Sequence, residues 1–317
     1  MLKKNARPVN SPKKLKRIIF LLGPTAIGKS AAAILLAEKI NAEIISCDSM
    51  QVYRKMDILT SKVAARERKK VRHHLLGIID PGREYNVAQY RQAALSLCDK
   101  LFKKGKIPLF TGGTGLYYSV IVDGLFPAVP EDKLLRAKLE KQLSAKGNDY
   151  LYRRLAKVDP PAAKKIHPHD SRRIIRALEV YLTAGEPISA LQKSRVGLGK
   201  EFQIKIFGLN TDRQALYNII DQRVEKMFTA GVINEVKRLR KQKLSRTASR
   251  AIGVPEIAGF LAGKYPLDEA KRLIQRNSRH YAKRQLTWFR KDKRIKWINI
   301  KEKDNPAEIA KRIYKQL

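Results

Sequence analysis

Only two cysteines, Cys47 and Cys98, occur in 317 residues. That scarcity excludes a disulfide framework and any multi-cysteine zinc site, and it fits a reducing cytoplasm. No apolar run approaches the roughly 20 residues needed to cross a bilayer, so no membrane partner is expected. Residues 1–17 contain neither an acidic residue nor an apolar stretch. They read as a flexible basic arm and not as a secretory signal. Acidic residues are scarce throughout: 29 Asp plus Glu stand against 67 Lys plus Arg, a formal charge of +38. The excess is spread along the chain, with 31 of the 67 cations before residue 161 and 36 from there on. A broad surface for a folded polyanion such as RNA accounts for this better than an appended tail.

What is present is more specific. Gly23-Pro-Thr-Ala-Ile-Gly-Lys-Ser30 satisfies G-x-x-x-x-G-K-[ST] between an apolar run, Ile18–Leu22, and a helical run, Ala31–Ile40. In that setting the loop amides and the helix N-terminus form a cradle for two linked phosphates. Lys29 adds a point charge, and the Ser30 hydroxyl is placed to hold Mg2+.

Apolar runs at Ile18–Leu22, Glu43–Cys47, Ile107–Phe110 and Gln203–Leu209 read as buried strands, with helices at Ala31–Ile40 and Val87–Lys104 between the first three. The alternation predicts an α/β fold: a P-loop NTPase-like parallel sheet core with helices on both faces. From about 123 to 198 the pattern becomes helical (Lys133–Ser144, Tyr150–Val158, Ser171–Thr183) and is punctuated by proline, which predicts an inserted all-helical domain. The core is then 18–122 plus 199–317. It closes with long basic helices, Thr211–Lys241 and Leu267–Lys291, a short strand Arg294–Ile300 and a last helix.

Asp48 follows the second strand directly, which puts a carboxylate at the end of the sheet where ligands bind. It suits a general base or a magnesium partner, against the plainer reading of a turn aspartate. The third strand leads into Thr111-Gly-Gly-Thr-Gly115, where a phosphoryl-transfer enzyme is expected to present an aspartate for magnesium. Small residues there permit close backbone approach to a ligand instead. His73-His74 and His167-Pro-His169 lack metal-ligand spacing, so structural roles are expected.

Asp48-Ser-Met-Gln-Val-Tyr-Arg54, Gly112-Gly-Thr-Gly-Leu-Tyr117, His169-Asp-Ser-Arg-Arg-Ile-Ile-Arg-Ala-Leu-Glu-Val180 and Tyr281-Ala-Lys-Arg-Gln-Leu-Thr-Trp-Phe-Arg290 complete a pattern. Together with the glycine loop they resemble the successive signatures of the tRNA dimethylallyltransferases, or tRNA isopentenyltransferases. The blocks occur in the family's order over about residues 18–300. The resemblance implies that dimethylallyl diphosphate, not ATP, occupies the loop. Its five-carbon group moves to N6 of the adenosine just 3′ of the anticodon, and diphosphate is released. On the same resemblance Gly23, Pro24, Thr25, Ala26, Ile27, Gly28, Lys29 and Ser30 bind the diphosphate. Arg223, in Gln222-Arg-Val-Glu-Lys-Met227, adds a second cationic contact. Asp48, Ser49, Met50, Gln51 and Thr114 form the adenine pocket and its mouth, with Asp48 taking the amine proton. Arg172, Arg173, Ile174, Ile175 and Arg176 grip the anticodon stem-loop of the tRNA, and a monomer is expected.

Two stretches depart from the commoner bacterial pattern. Asp57-Ile-Leu-Thr-Ser-Lys-Val63 replaces a run like D-I-G-T-A-K-P, and Ala251-Ile-Gly-Val-Pro-Glu256 has Val-Pro where Tyr-Lys is commoner. The second, like His73-His-Leu-Leu-Gly77, is similar to the plant adenylate isopentenyltransferases, whose acceptor is free AMP, ADP or ATP. The charge and the helical insertion favour RNA, because a free nucleotide needs only a few cations. A P-loop kinase and a nucleotide-switched RNA-binding protein are the rivals from other classes.

Overall fold

A computed structural model describes residues 15–126, 129–199, 201–301 and 304–317. Most of the expected basic arm, residues 1–14, lies outside them, and Lys16 and Arg17 already belong to the first strand.

Six strands form one sheet: β1 (Lys16–Leu22), β2 (Ala42–Ser46), β3 (His73–His74), β4 (Ile107–Gly112), β5 (Phe202–Asn210) and β6 (Lys296–Asn299). Their order is β3-β2-β4-β1-β5-β6, and every pairing is parallel. Parallel strands need long crossovers, and helices supply them: α1 (Lys29–Lys39), α2 (Val87–Lys103) and α3 (Gly115–Val122) in the first half of the chain. Successive side chains of β1 point to opposite faces. Ile19 and Leu21 pack in one cluster with Ala33 and Leu36 of α1. Phe20 faces the other way, stacking on Phe110 at 4.7 Å and meeting Tyr118 of α3 edge-on at 5.3 Å. Ile18 to Leu22 are fully buried, which is why they read as an unbroken apolar run. Each such side chain contributes about 1.5–3 kcal/mol of burial.

The register sets the site. Leu22 is level with Gly112 of β4 and Gly208 of β5, and Ser46 is level with Thr111. The chain therefore leaves β1, β2 and β4 at one rim, beside the point where strand order reverses about β1.

Residues 119–199 form a second compact unit. Its main helices are α4 (Lys133–Val158), interrupted at Gly147 with φ 77° and ψ 174°, and α5 (Ser171–Ala184). Leu139, Leu151, Leu155, Ile174, Ile175 and Leu178 make its core. Glu179 is fully buried, so its charge must be paired. Arg136 Nη2 reaches it at 2.7 Å, Arg176 Nη1 at 2.8 Å, and the Asp132 N–H at 3.1 Å. Burial pushes the carboxyl up, but the two guanidiniums outweigh it and hold it below its ordinary range.

After β5 the first unit continues with α6 (Arg213–Thr229), α7 (Val232–Leu239), α8 (Val254–Leu261), α9 (Leu267–Phe289) and α10 (Pro306–Tyr314). The single helix expected over Thr211–Lys241 is two, separated by Gly231 at φ 89°. Among the described residues no helix is long and apolar enough to cross a membrane.

Candidate active site

Between β1 and α1 the chain turns through Ala26 at φ 70° and Gly28 at φ 85°. A left-handed residue other than glycine costs roughly 1 kcal/mol or more, and such positions cluster where a ligand is held. The N-terminus of α1 has no side-chain cap and no acid in its first turn. Its unpaired N–H groups and positive dipole end are therefore available to an anion. Lys29 folds back so that Nζ donates to Pro24 O at 2.6 Å. Burial, the largest influence, pushes its ammonium down to about 8; Asp48 opposes that shift and Arg223 adds to it. Ile27 is buried in the core and anchors the loop, and Gly23 packs close to Leu209 O.

Asp48 lies just beyond β2. Its Oδ1 accepts the Met50 N–H at 2.9 Å, an Asx turn that fixes the carboxylate. Oδ2 makes no hydrogen bond among the described residues. The plain reading as a turn aspartate thus accounts for one oxygen and leaves the other unengaged. Ser49 N donates to Thr114 Oγ1 at 3.0 Å, which ties this turn to the one after β4. Gln51 is spent on structure: Oε1 accepts from Ser46 Oγ at 2.9 Å and Nε2 donates to Thr60 O at 3.1 Å. Arg223, within α6, donates Nη1 to Thr25 Oγ1 and Nε to Ser61 Oγ at 2.9 Å. Tyr281 of α9 senses the same field; burial first, then the Asp48 charge, pushes its phenol up.

Gln285 was not singled out from the sequence, yet it joins the two glycine turns. Thr25 N–H donates to its Oε1 at 2.8 Å, and its Nε2 donates to Gly113 O at 2.8 Å. A Cβ on Gly113 would lie 2.0 Å from that Nε2, so a side chain there would push Gln285 off the turn. The available signal was a polar side chain on the buried face of α9, between Ala282 and Phe289.

The first unit therefore gathers Lys29, Ser30, Asp48, Thr114 and Arg223 around one rim. In the second unit Arg172 and Arg173 are exposed, whereas Ile174 and Ile175 turn into the core. Arg176, expected to be free for phosphate, is bound to Glu179 and to Val129 O at 3.1 Å. The two departures from the commoner pattern meet, since a Cβ on Gly253 would lie 2.5 Å from Leu59 Cδ2.

A family model described as IPP transferase matches residues 51–292, well over half of the chain. A relative from Carboxydothermus hydrogenoformans, named tRNA dimethylallyltransferase, is 48% identical over 90% of this chain and 92% of its own length. The chain belongs to the tRNA dimethylallyltransferase family. A second model, isopentenyl transferase, matches residues 16–77. Among solved structures, the tRNA isopentenylpyrophosphate transferase of Bacillus halodurans is 36% identical, with a TM-score of 0.68, and the match covers 96% of this chain and 97% of that one. A eukaryotic dimethylallyltransferase described as acting on tRNA is 29% identical, with a TM-score of 0.73, over 90% and 74% of the two chains. Membership of this family fits the combination of a glycine loop, a strand-end carboxylate and a β4 that ends in threonine and glycine.

Proposed function

We propose that this protein transfers the dimethylallyl group of dimethylallyl diphosphate to N6 of the adenosine just 3′ of the anticodon in tRNA, and releases diphosphate. The observation that carries the reading is the grouping of Asp48 with Lys29 and Arg223 around the rim where β1, β2 and β4 end. In the reaction the allylic C1–O bond breaks and its electron pair leaves with the diphosphate. The N6 lone pair forms the new C–N bond, and the N6 proton passes to Asp48. The loop amides, Lys29 and Arg223 lie where negative charge grows on the leaving group, so they favour the transition state over the ground state. Asp48 is held by the Met50 N–H at Oδ1, which leaves Oδ2 to accept the proton.

Ser30 suits Mg2+. Its hydroxyl makes no hydrogen bond among the described residues and sits at the helix N-terminus of the cradle. Mg2+ keeps several waters and takes few protein ligands beside phosphate oxygens, and the hydroxyl that closes a loop of this pattern is one of them. When bound, the ion would neutralise charge on the departing diphosphate.

RNA as acceptor is supported by the +38 charge and by exposed Arg172 and Arg173. Arg176, Ile174 and Ile175 support the helix that presents them. Both cysteines are free and buried, and a chain with no disulfide among the described residues suits a reducing cytoplasm. The test is purified protein with labelled dimethylallyl diphosphate, offered tRNA and AMP in competition. Label in tRNA is expected. Label only in AMP, or phosphoryl transfer from ATP, would overturn the reading.

A further inference from the structure

We infer that Ser61 is a positioning residue for this reaction: its hydroxyl aims Arg223 at the glycine loop. The inference rests on reading that loop as the diphosphate site. Arg223 has two side-chain partners among the described residues, Thr25 Oγ1 through Nη1 and Ser61 Oγ through Nε, the latter at 2.9 Å. A guanidinium is planar, so two of its donors held on two oxygens fix the direction of the rest. Thr25 belongs to the loop itself. Ser61 is thus the anchor for Arg223 that lies outside the ligand site.

The segment carrying Ser61 is held from several sides. Glu235, 4% exposed, accepts the backbone N–H groups of Asp57, Ile58 and Leu59, each at 2.9 Å. Thr60 Oγ1 donates to Met56 O at 2.5 Å, and Lys62 Nζ donates to Asp57 Oδ1 at 2.8 Å. Ser61 N–H donates to Ile58 O at 3.1 Å, within a turn that keeps residue 61 at φ 46°. A left-handed serine persists only when its surroundings determine it, and here they do. The exposed hydroxyl is therefore a fixed point. An unheld arginine samples many rotamers, and ordering it before the anion arrives removes that penalty from binding.

Ser61→Ala and Ser61→Gly, alone and combined with Arg223→Gln, test this in the full chain by calorimetric titration of inorganic diphosphate with Mg2+. Both Ser61 variants are expected to raise the diphosphate Kd about five- to tenfold. In the Arg223→Gln background the Ser61 change should add less than about twofold, since its partner is gone. tRNA affinity should not move. Glycine relieves φ 46° while alanine does not, so a backbone effect would separate the two variants and a lost hydroxyl would not. Wild-type diphosphate affinity in both variants, or full additivity with Arg223→Gln, would overturn the role of Ser61 and leave the site itself standing. A wild-type protein that binds no diphosphate would overturn both.

Discussion

Replacing Gln285 with leucine should uncouple the two glycine turns without emptying the space between them. The side chains are of similar size, and Gln285 is 5% exposed, so the buried volume is kept. What is lost is an acceptor for Thr25 N–H and a donor to Gly113 O, both at 2.8 Å. A buried polar group left unpaired costs about 1–3 kcal/mol. Thr25 is half-buried and water can recover part of its share, so a total near 2–3 kcal/mol is expected. That lies below the roughly 5–15 kcal/mol by which folded domains are stable, so the variant should fold. The functional loss should be larger. Thr25 lies in the loop proposed to hold the diphosphate and Gly113 next to Thr114, and a displacement of about 1 Å at a reacting centre costs up to about 10²-fold. Urea denaturation and single-turnover prenyl transfer at saturating tRNA measure the two effects. Gln285→Glu sharpens the result: it keeps the acceptor for Thr25, loses the donor and adds negative charge beside the proposed diphosphate site. It should hurt donor affinity more than leucine does. If the leucine variant is within about 0.5 kcal/mol of wild type and its kcat/KM within about twofold, Gln285 does not tie the turns.

Asp48→Asn should lower prenyl transfer about 10²-fold or more while RNA and diphosphate still bind, checked by quenched-flow turnover beside filter binding; near-normal turnover would remove Asp48 as the base. Lys29, pushed down to about 8 in the free site, should rise when a diphosphate sits against it. Below about pH 8 it is already charged and binding moves no proton. Above that value binding takes up a proton and affinity falls as pH rises, so calorimetry near pH 9 in buffers of different ionisation enthalpy should register uptake that Lys29→Arg abolishes. Arg173 is 61% exposed and only loosely paired with Asp170 at 3.4 Å. Arg173→Ala should therefore weaken tRNA binding and reduce its salt slope by about 0.7–0.9, whereas Arg176→Ala should destabilise the helical unit and leave the slope unchanged.

Which of these roles could be read from sequence depends on how far apart the partners lie in the chain. The glycine loop, Asp48 and the Thr111–Gly115 turn were legible because each is a local pattern attached to an apolar strand, and parallel topology carries all such ends to one rim. β3 was not, because two residues have no periodicity; nor was the break at Gly231, since an isolated glycine inside a helical pattern is often tolerated. The segment Arg172–Arg176 shows the limit most clearly. Arg176 and Glu179 are three apart, a spacing that reads as an exposed helix pair. Burial reverses its meaning: a carboxylate fully removed from water demands partners, and Glu179 takes Arg176 together with Arg136, 43 residues away. The cation that looked free for phosphate is committed to the fold, whereas Arg173 stays exposed and is the one proposed to meet RNA. Gln285 and Ser61 extend the point, because Thr25 is 260 residues from one, and the other is 162 from Arg223. Lys29 and Asp48 announce themselves by type and by their place beside strand ends, whereas Arg223, one cation on a long helix, does not. Gln285 and Ser61 aim those charges through partners far away in the chain, and only the closed fold identifies the contacts.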